Sequence, residues 1–402
     1  MRVIVVVVDG LSTQWVGAYG NEWVPTPTLD RLAADGLTFD RFTLARPGVG
    51  SFVSGRYFDP PDACETLAFP ALAQAGVLVQ EFTSLEPADL DRLGRTLQAS
   101  EDWLLLVQVE NLLPPWQPSE EALAQVFGSP SANQLEPILG QPPASIDPAD
   151  DDARERLLTS FAAVVLDTDA YLGHLLDQLA ERGLLTPTWD GAQIVVTSSG
   201  GFALGERGRV GVGGVFSESV VVPLIVRLDQ RQQAGRRPQQ LAQSVDLLPT
   251  LAEWFAVSLP PEMPGGPEGY GVQGVSLAGI CRGESASVPL RDYAVSHDPE
   301  QPELTAAILT DSERLLLLPG QAEPLYFLKP QDRYEVNDLH QHHLARADVL
   351  ADLLRRFVAS ARQPGAWTPP PLPAPDPQSE PPAAGEPSAA GEPPAAGEPP
   401  AS

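Results

Sequence analysis

A chain of 402 residues, 43% hydrophobic and 19% charged, is long enough to bury the core of one large α/β domain, or of a large domain plus a small one. Its formal net charge of −28 argues against non-specific attraction to nucleic acid or anionic lipid, so neither a nucleic-acid nor a membrane partner is expected. The two cysteines, Cys64 and Cys281, are too few for a disulfide framework or a thiolate metal site and read as buried free thiols.

The chain opens on Val3 to Val8, a continuous β-branched run ending at Asp9-Gly10. It is too short for a secretion signal and lacks a small-residue cleavage site, so it reads as a first strand buried on both faces of a largely parallel sheet. Such sheets place ligands at the C-terminal ends of their strands. Residues Thr28 to Gly36 carry Leu29, Leu32 and Ala33 at helical spacing and close on a glycine stop. Further strands are expected at Trp103 to Val109, Gln193 to Thr197 and Val220 to Val226, and a long helix at Glu155 to Arg182. Between them, Gly128 to Asp152 reads as a polar surface insertion. No window approaches the ~20 apolar residues that cross a bilayer, and a soluble, cytoplasmic protein is expected.

Beyond Asp246 the pattern changes to Pro/Gly-rich loops, short strands near Tyr293 to Ser296, Ala306 to Leu309 and Arg314 to Leu318, and a helix at about Ala345 to Ala361. From Pro364 the repeats PPAAGE, PSAAGE and PPAAGE follow a proline-dense stretch. That composition buries too little apolar surface to offset chain entropy, and a disordered tail is expected. The expected organisation is an α/β domain over 1–250, a small α+β subdomain over 251–362 and a disordered tail over 363–402.

Several segments then fall in one order: Asp9-Gly10, WVGAYG from Trp15, TPTLDRLAADG from Thr26, and Gly55-Arg56-Tyr57. Asp169 and Gly173, VVTSSGGFALGERG from Val195, VDLLPT from Val245 and LYFLKPQDRYEVNDL from Leu325 continue the series. Together they resemble the sulfatases of the alkaline-phosphatase superfamily across nearly all of residues 1–361. The resemblance implies a doubly wound, mostly parallel α/β sheet flanked by helices, with a small C-terminal α+β subdomain. It also implies a divalent cation, usually calcium, and a formylglycine nucleophile made from Cys or Ser in Cys/Ser-x-Pro-x-Arg.

At the site the chain departs from that pattern. Of the two strand-end aspartates of the family, Asp9 remains and Gly10 takes the second place, so Asp9 alone is a weak metal ligand. The Asp-His or Asp-Asn pair of Thr-Ser-Asp-His-Gly corresponds to Ser199-Gly200. The nucleophile position falls on Ala45 in ARPGV, where Pro47 persists and Val49 replaces the arginine, so no catalytic residue is assigned. Thr43 could act as nucleophile only under a register shift and otherwise reads as locally hydrogen-bonded. The lysines and histidines of the family are missing too: Lys329 is the only lysine, and His174, His297, His340, His342 and His343 lie elsewhere. The run His340, His342, His343 could bind a metal but reads better as a solvated helix start. Arg46, Arg56, Arg207 and Arg209, with Glu206 and Glu218, remain near the expected cleft, either to bind an anion or to pair with carboxylates.

Two functions compete. One is a catalytically inactive pseudoenzyme that keeps the fold for an unknown protein partner or an anionic small molecule, with no cofactor. The other is an active sulfuric- or phosphoric-ester hydrolase with a rearranged site holding calcium or another divalent cation. A phosphomutase or headgroup transferase would need the same missing ligands and falls with them.

Overall fold

The structure, a computed structural model, describes residues 1–58, 69–127, 136–259, 271–284, 289–301, 304–363, 365 and 367–374. Its strands are β1 (Arg2–Val8), β2 (Leu37–Thr38), β3 (Phe42–Thr43), β4 (Leu78–Glu81), β5 (Trp103–Val109), β6 (Gln193–Thr197) and β7 (Ala203–Leu204). They continue with β8 (Val210–Gly211), β9 (Ile225–Arg227), β10 (Ala242–Gln243), β11 (Ala294–His297), β12 (Ala306–Leu309), β13 (Glu313–Leu317) and β14 (Leu325–Leu328). The helices are α1 (Pro27–Ala34), α2 (Gly50–Ser54), α3 (Pro70–Gln74), α4 (Pro87–Gln98), α5 (Glu120–Phe127), α6 (Asp151–Glu181), α7 (Ser217–Val220), α8 (Leu247–Trp254), α9 (Ala278–Cys281) and α10 (Leu344–Ala361).

The main sheet has the order β2-β9-β6-β1-β5-β4. Strand β1 pairs in parallel with β5 and β6, β4 pairs in parallel with β5, and only β9 runs against its neighbours. The apolar run of β1 explains its central place. Because side chains alternate, Ile4, Val6 and Val8 enter one core with α1, α4 and α6, while Val3, Val5 and Val7 enter the other with α2, α3, α8 and α9. Neither face of this strand reaches water, so the doubly wound sheet expected from the sequence is what forms. Among the described residues no helix is long and apolar enough to cross a membrane.

The expected strand Val220 to Val226 does not form as read. Residues Ser217–Val220 close a helical turn, with Val220 N bonded to Phe216 O at 3.1 Å, and the ladder begins only at Ile225. Pro223 has no N–H to give a ladder, which stops the strand from reaching back. The short β4 and the helix α4 went unmarked in the sequence, although α4 carries Leu90, Leu93 and Leu97 on its buried face. Residues 128–135 of the expected insertion lie outside the described residues. The remainder folds back onto the strand ends, through Trp116–Gly140 and Ile146–Gly208 backbone bonds.

Strands β11 to β14 form a separate antiparallel sheet in sequence order, covered by α10. Its core also takes in Ala45, Tyr57, Phe58 and Val245, so the small unit closes over the loop that follows β3. Helix α8 crosses the expected boundary at residue 250 and packs in the larger core, as do Leu277 and Cys281. Trp367 and Leu372, from the start of the expected tail, pack against the small unit. The repeats beyond 374, like Cys64, lie outside the described residues. Burial pushes the Cys281 thiol up to about 12, which makes it an inert core residue.

Candidate functional site

Strands β1, β5 and β6 end side by side, and pairing continues one step past them. Asp9 N bonds to Val109 O, and Gly10 N to Gly200 O, both at 2.8 Å. This puts the Asp9 carboxylate at the C-terminal edge of the sheet with only 5% of the residue exposed. Both its oxygens accept hydrogen bonds from neutral side chains: Oδ2 from Gln108 Nε2 at 2.7 Å, and Oδ1 from the Ser199 hydroxyl. Burial raises its pKa, the Gln108 and Ser199 bonds oppose that, and the Glu110 charge adds to it. Ser199, where the resemblance implies a carboxylate, is thus joined directly to Asp9.

The neighbouring glycines shape the same corner. Gly10 sits at φ +92°, a conformation L side chains rarely adopt, and a Cβ there would lie 3.0 Å from Leu112 Cβ. A second strand-end aspartate is therefore hindered by the backbone as well as absent from the sequence. At Gly201 a Cβ would come within 1.9 Å of the Glu218 carbonyl oxygen, so only glycine fits.

The loop after β3 carries Ala45, which has no exposed surface. Its N–H bonds to Ser244 Oγ at 2.9 Å, and its carbonyl accepts the His297 N–H at 2.9 Å. Ser51 Oγ lies 2.7 Å from Ser244 Oγ, and Gly48 N bonds to Ser199 O at 2.7 Å, tying this loop to the strand-end corner. Val49 turns into the larger core. Thr43 is buried, and its hydroxyl accepts from Gln243 Nε2 at 3.3 Å.

The arginines singled out in the sequence are distributed around this corner rather than gathered in it. Arg56 is buried and donates to Phe58 O at 3.2 Å and Gly271 O at 2.6 Å. Arg207 pairs with Glu218 at 2.6 Å and lies 3.6 Å over the Phe216 ring, while Arg209 sits 3.9 Å from the same carboxylate and donates to Gly213 O at 2.8 Å. Burial raises the Glu218 carboxyl, the Arg207 charge opposes it, and Glu206 adds to it. Arg46 contributes its charge near His297.

His297 carried no chemical signal in the sequence and sits next to Ala45. Burial drives its imidazole down to about 3, the Tyr57 carbonyl 2.6 Å from Nε2 opposes this, and Arg46 and Arg362 push it further down. It is neutral at physiological pH, with Nε2–H facing the carbonyl and the ring stacked on Phe58 at 3.9 Å. The other histidines do not converge: His174 is exposed, His340 is buried beside Glu323, and His343 stacks on Tyr326. Among the described residues no group of three or more His, Cys, Asp or Glu is placed to hold a metal ion.

Comparison with known proteins comes to the same fold. The family model described as Sulfatase matches residues 108–257, the stretch holding Gln108, Ser199 and Glu218. An N-acetylglucosamine-6-O-sulfatase of Bacteroides thetaiotaomicron is 30% identical over 149 residues, 37% of this chain. A multifunctional alkaline phosphatase superfamily protein, PehA, of Trinickia caryophylli is 28% identical over 112 residues, 28% of this chain. These matches span only 24% and 21% of the two relatives. A solved protein in complex with its substrate D-glucosamine-2-N,6-O-disulfate superposes with a TM-score of 0.69 at 18% identity, covering 90% of this chain and 98% of that one. The phosphonate monoester hydrolase of Agrobacterium radiobacter gives 0.67 at 17% identity, covering 90% and 96%.

Proposed function

We propose that this chain, a sulfatase-like protein with the alkaline-phosphatase superfamily fold, is a non-hydrolysing member that keeps the fold for binding a partner protein. The observation that carries the reading is the Asp9 carboxylate, whose two oxygens are taken up by Gln108 and Ser199. A calcium ion needs six or more oxygen ligands and usually several negative charges. Asp9 supplies one buried carboxylate, Ser199 and Gly200 bring no charge, and Gly10 is hindered from carrying a side chain. The donor set therefore does not fit the cation, and no reaction step is drawn through one.

The nucleophile position supports the same reading. Ala45 has no atom to attack sulfur or phosphorus, and both its backbone groups are engaged by Ser244 and His297. Arg56, Arg207 and Arg209 already have carbonyl or carboxylate partners, which favours a protein partner over a small anion. Gly10 and Ser199-Gly200 meet through the Gly10–Gly200 and Asp9–Ser199 bonds, and the loop that carries Ala45 and Val49 is tied to them by the Gly48–Ser199 bond.

The test is metal analysis of the purified chain followed by assay on 6-O-sulfated N-acetylglucosamine and a phosphonate monoester, the substrate classes of its relatives. Substoichiometric metal and no turnover are expected. Turnover that depends on Asp9 and on bound metal would refute the proposal.

A further inference from the structure

Residues 367–374, rich in proline, lie along the small unit. Trp367, Pro370, Leu372 and Pro373 are partly buried, while Thr368, Pro369, Pro371 and Ala374 are exposed. The three contacts that hold this strap recur every third residue. Trp367 Nε1 donates to Ser360 Oγ at 3.1 Å, Tyr293 Oη donates to the Pro370 carbonyl at 2.6 Å, and Arg346 Nη1 donates to the Pro373 carbonyl at 3.0 Å.

A period of three is that of polyproline II, in which residues i, i+3 and i+6 share one edge and every carbonyl is free of internal hydrogen bonds. Prolines 369, 370, 371 and 373 fix φ near the value this helix needs, so little further ordering is required on docking. The receiving face is equally fixed. Arg346 is only 7% exposed and is held by Glu313 through Nε at 2.8 Å and Nη2 at 2.6 Å, and Glu313 in turn accepts from Tyr326 Oη at 2.7 Å. The Trp367 ring meets Phe357 edge-on at 5.2 Å and Tyr57 at 5.5 Å. Proline-rich ligands dock in aromatic-lined grooves, and here Tyr293 and Arg346 add donors spaced for successive turns.

We propose that the face built by Tyr293, Arg346, Phe357 and Ser360 is a polyproline-II recognition site for peptides of the register Trp-x-x-Pro-x-x-Pro, occupied in cis by this chain's own residues 367–374. The site is distinct from the strand-end corner, and the proposal does not rest on the function inferred for it.

The experiment keeps the full chain and introduces a site-specific protease sequence between Arg362 and Trp367. After cutting, the C-terminal fragment is expected to co-elute with the body in gel filtration at micromolar concentration. An excess of a synthetic peptide of residues 366–375 should release it, and a peptide with glycine at the Pro370 and Pro373 positions should not. Tyr293→Phe, which removes one donor and keeps the ring, should weaken retention about three- to tenfold, the worth of one hydrogen bond. Immediate loss of the fragment, or equal release by both peptides, would overturn the proposal. A dimer that becomes monomeric on cutting would overturn the cis assignment by placing a second copy's strap in the site.

Discussion

Glu335→Gln is expected to destabilise the fold by about 3–5 kcal/mol, the usual cost of breaking a buried ion pair from one side. The Glu335 side chain is fully buried and takes Arg314 Nε at 2.7 Å, Lys329 Nζ at 3.3 Å, the Ser217 N–H at 3.1 Å and the Ser217 hydroxyl. Glutamine keeps the shape, and it keeps the positive φ of +59° at this position, so the change isolates the charge. It would leave two buried cations without their anion, and the clasp between the antiparallel sheet and the Ser217 turn would open. Burial alone would raise this carboxyl, but Arg314 and Lys329, with the Ser217 bonds, hold it below the ordinary glutamate value. A depressed carboxyl stabilises the fold above its unfolded pKa of about 4.3 and loses that contribution as pH falls towards its folded value. The gap between wild type and variant, measured by urea midpoints at constant slope, should thus be full near neutral pH and shrink below about pH 4. A gap that is small or does not change with pH would contradict this.

Arg291→Met should cost about 3 kcal/mol or more, for the mirror-image reason. Arg291 lies 2.5 Å from Asp246, whose side chain has no exposed surface, and also donates to Gln243 at 3.1 Å and Tyr57 at 3.3 Å. Asp246 would keep only the Gln243 and Val275 N–H groups, both at 2.8 Å, for a full buried charge. The network joins α8 to the β3 loop and the small unit, so its loss should loosen the floor beneath Ala45. In a double-mutant cycle, adding Asp246→Asn should recover part of the loss. Strictly additive effects would show that the two side chains do not depend on each other.

Glu335 and Asp246, the partner of Arg291, stand in segments legible from the sequence as family-like, DRYEVNDL and VDLLPT, yet neither segment announced its task. A motif shows that a residue is in place, but Arg314 opposite Glu335 and Arg291 opposite Asp246 lie outside the motifs. The main sheet was readable because β1 is apolar at every position from Val3 to Val8, which burial on both faces explains. The stretch around Pro223 misled, since valines suggested a strand that proline could not complete. Trp367 and Leu372, at the start of the expected tail, pack against the small unit, a contact that their proline-rich surroundings did not signal.

At the candidate site the resemblance drew attention to positions where the family's groups are expected, but not to what surrounds Asp9. Gln108 lies in a strand whose other residues are apolar, and its exposed position gave no sign that its amide turns to Asp9. His297 drew attention only as one of five histidines, because nothing in its local sequence brings it near Ala45.

We propose that neutral donors, and not a divalent cation, hold the strand-end carboxylate. It is tested most directly by the melting temperatures of the full chain and of Asp9→Asn, each with chelator and with millimolar calcium. Calcium should leave both unchanged, and the variant should be as stable as the wild type or more so, since asparagine keeps the shape and removes a buried charge. A calcium-dependent rise of several degrees in the wild type, lost in Asp9→Asn, would contradict it.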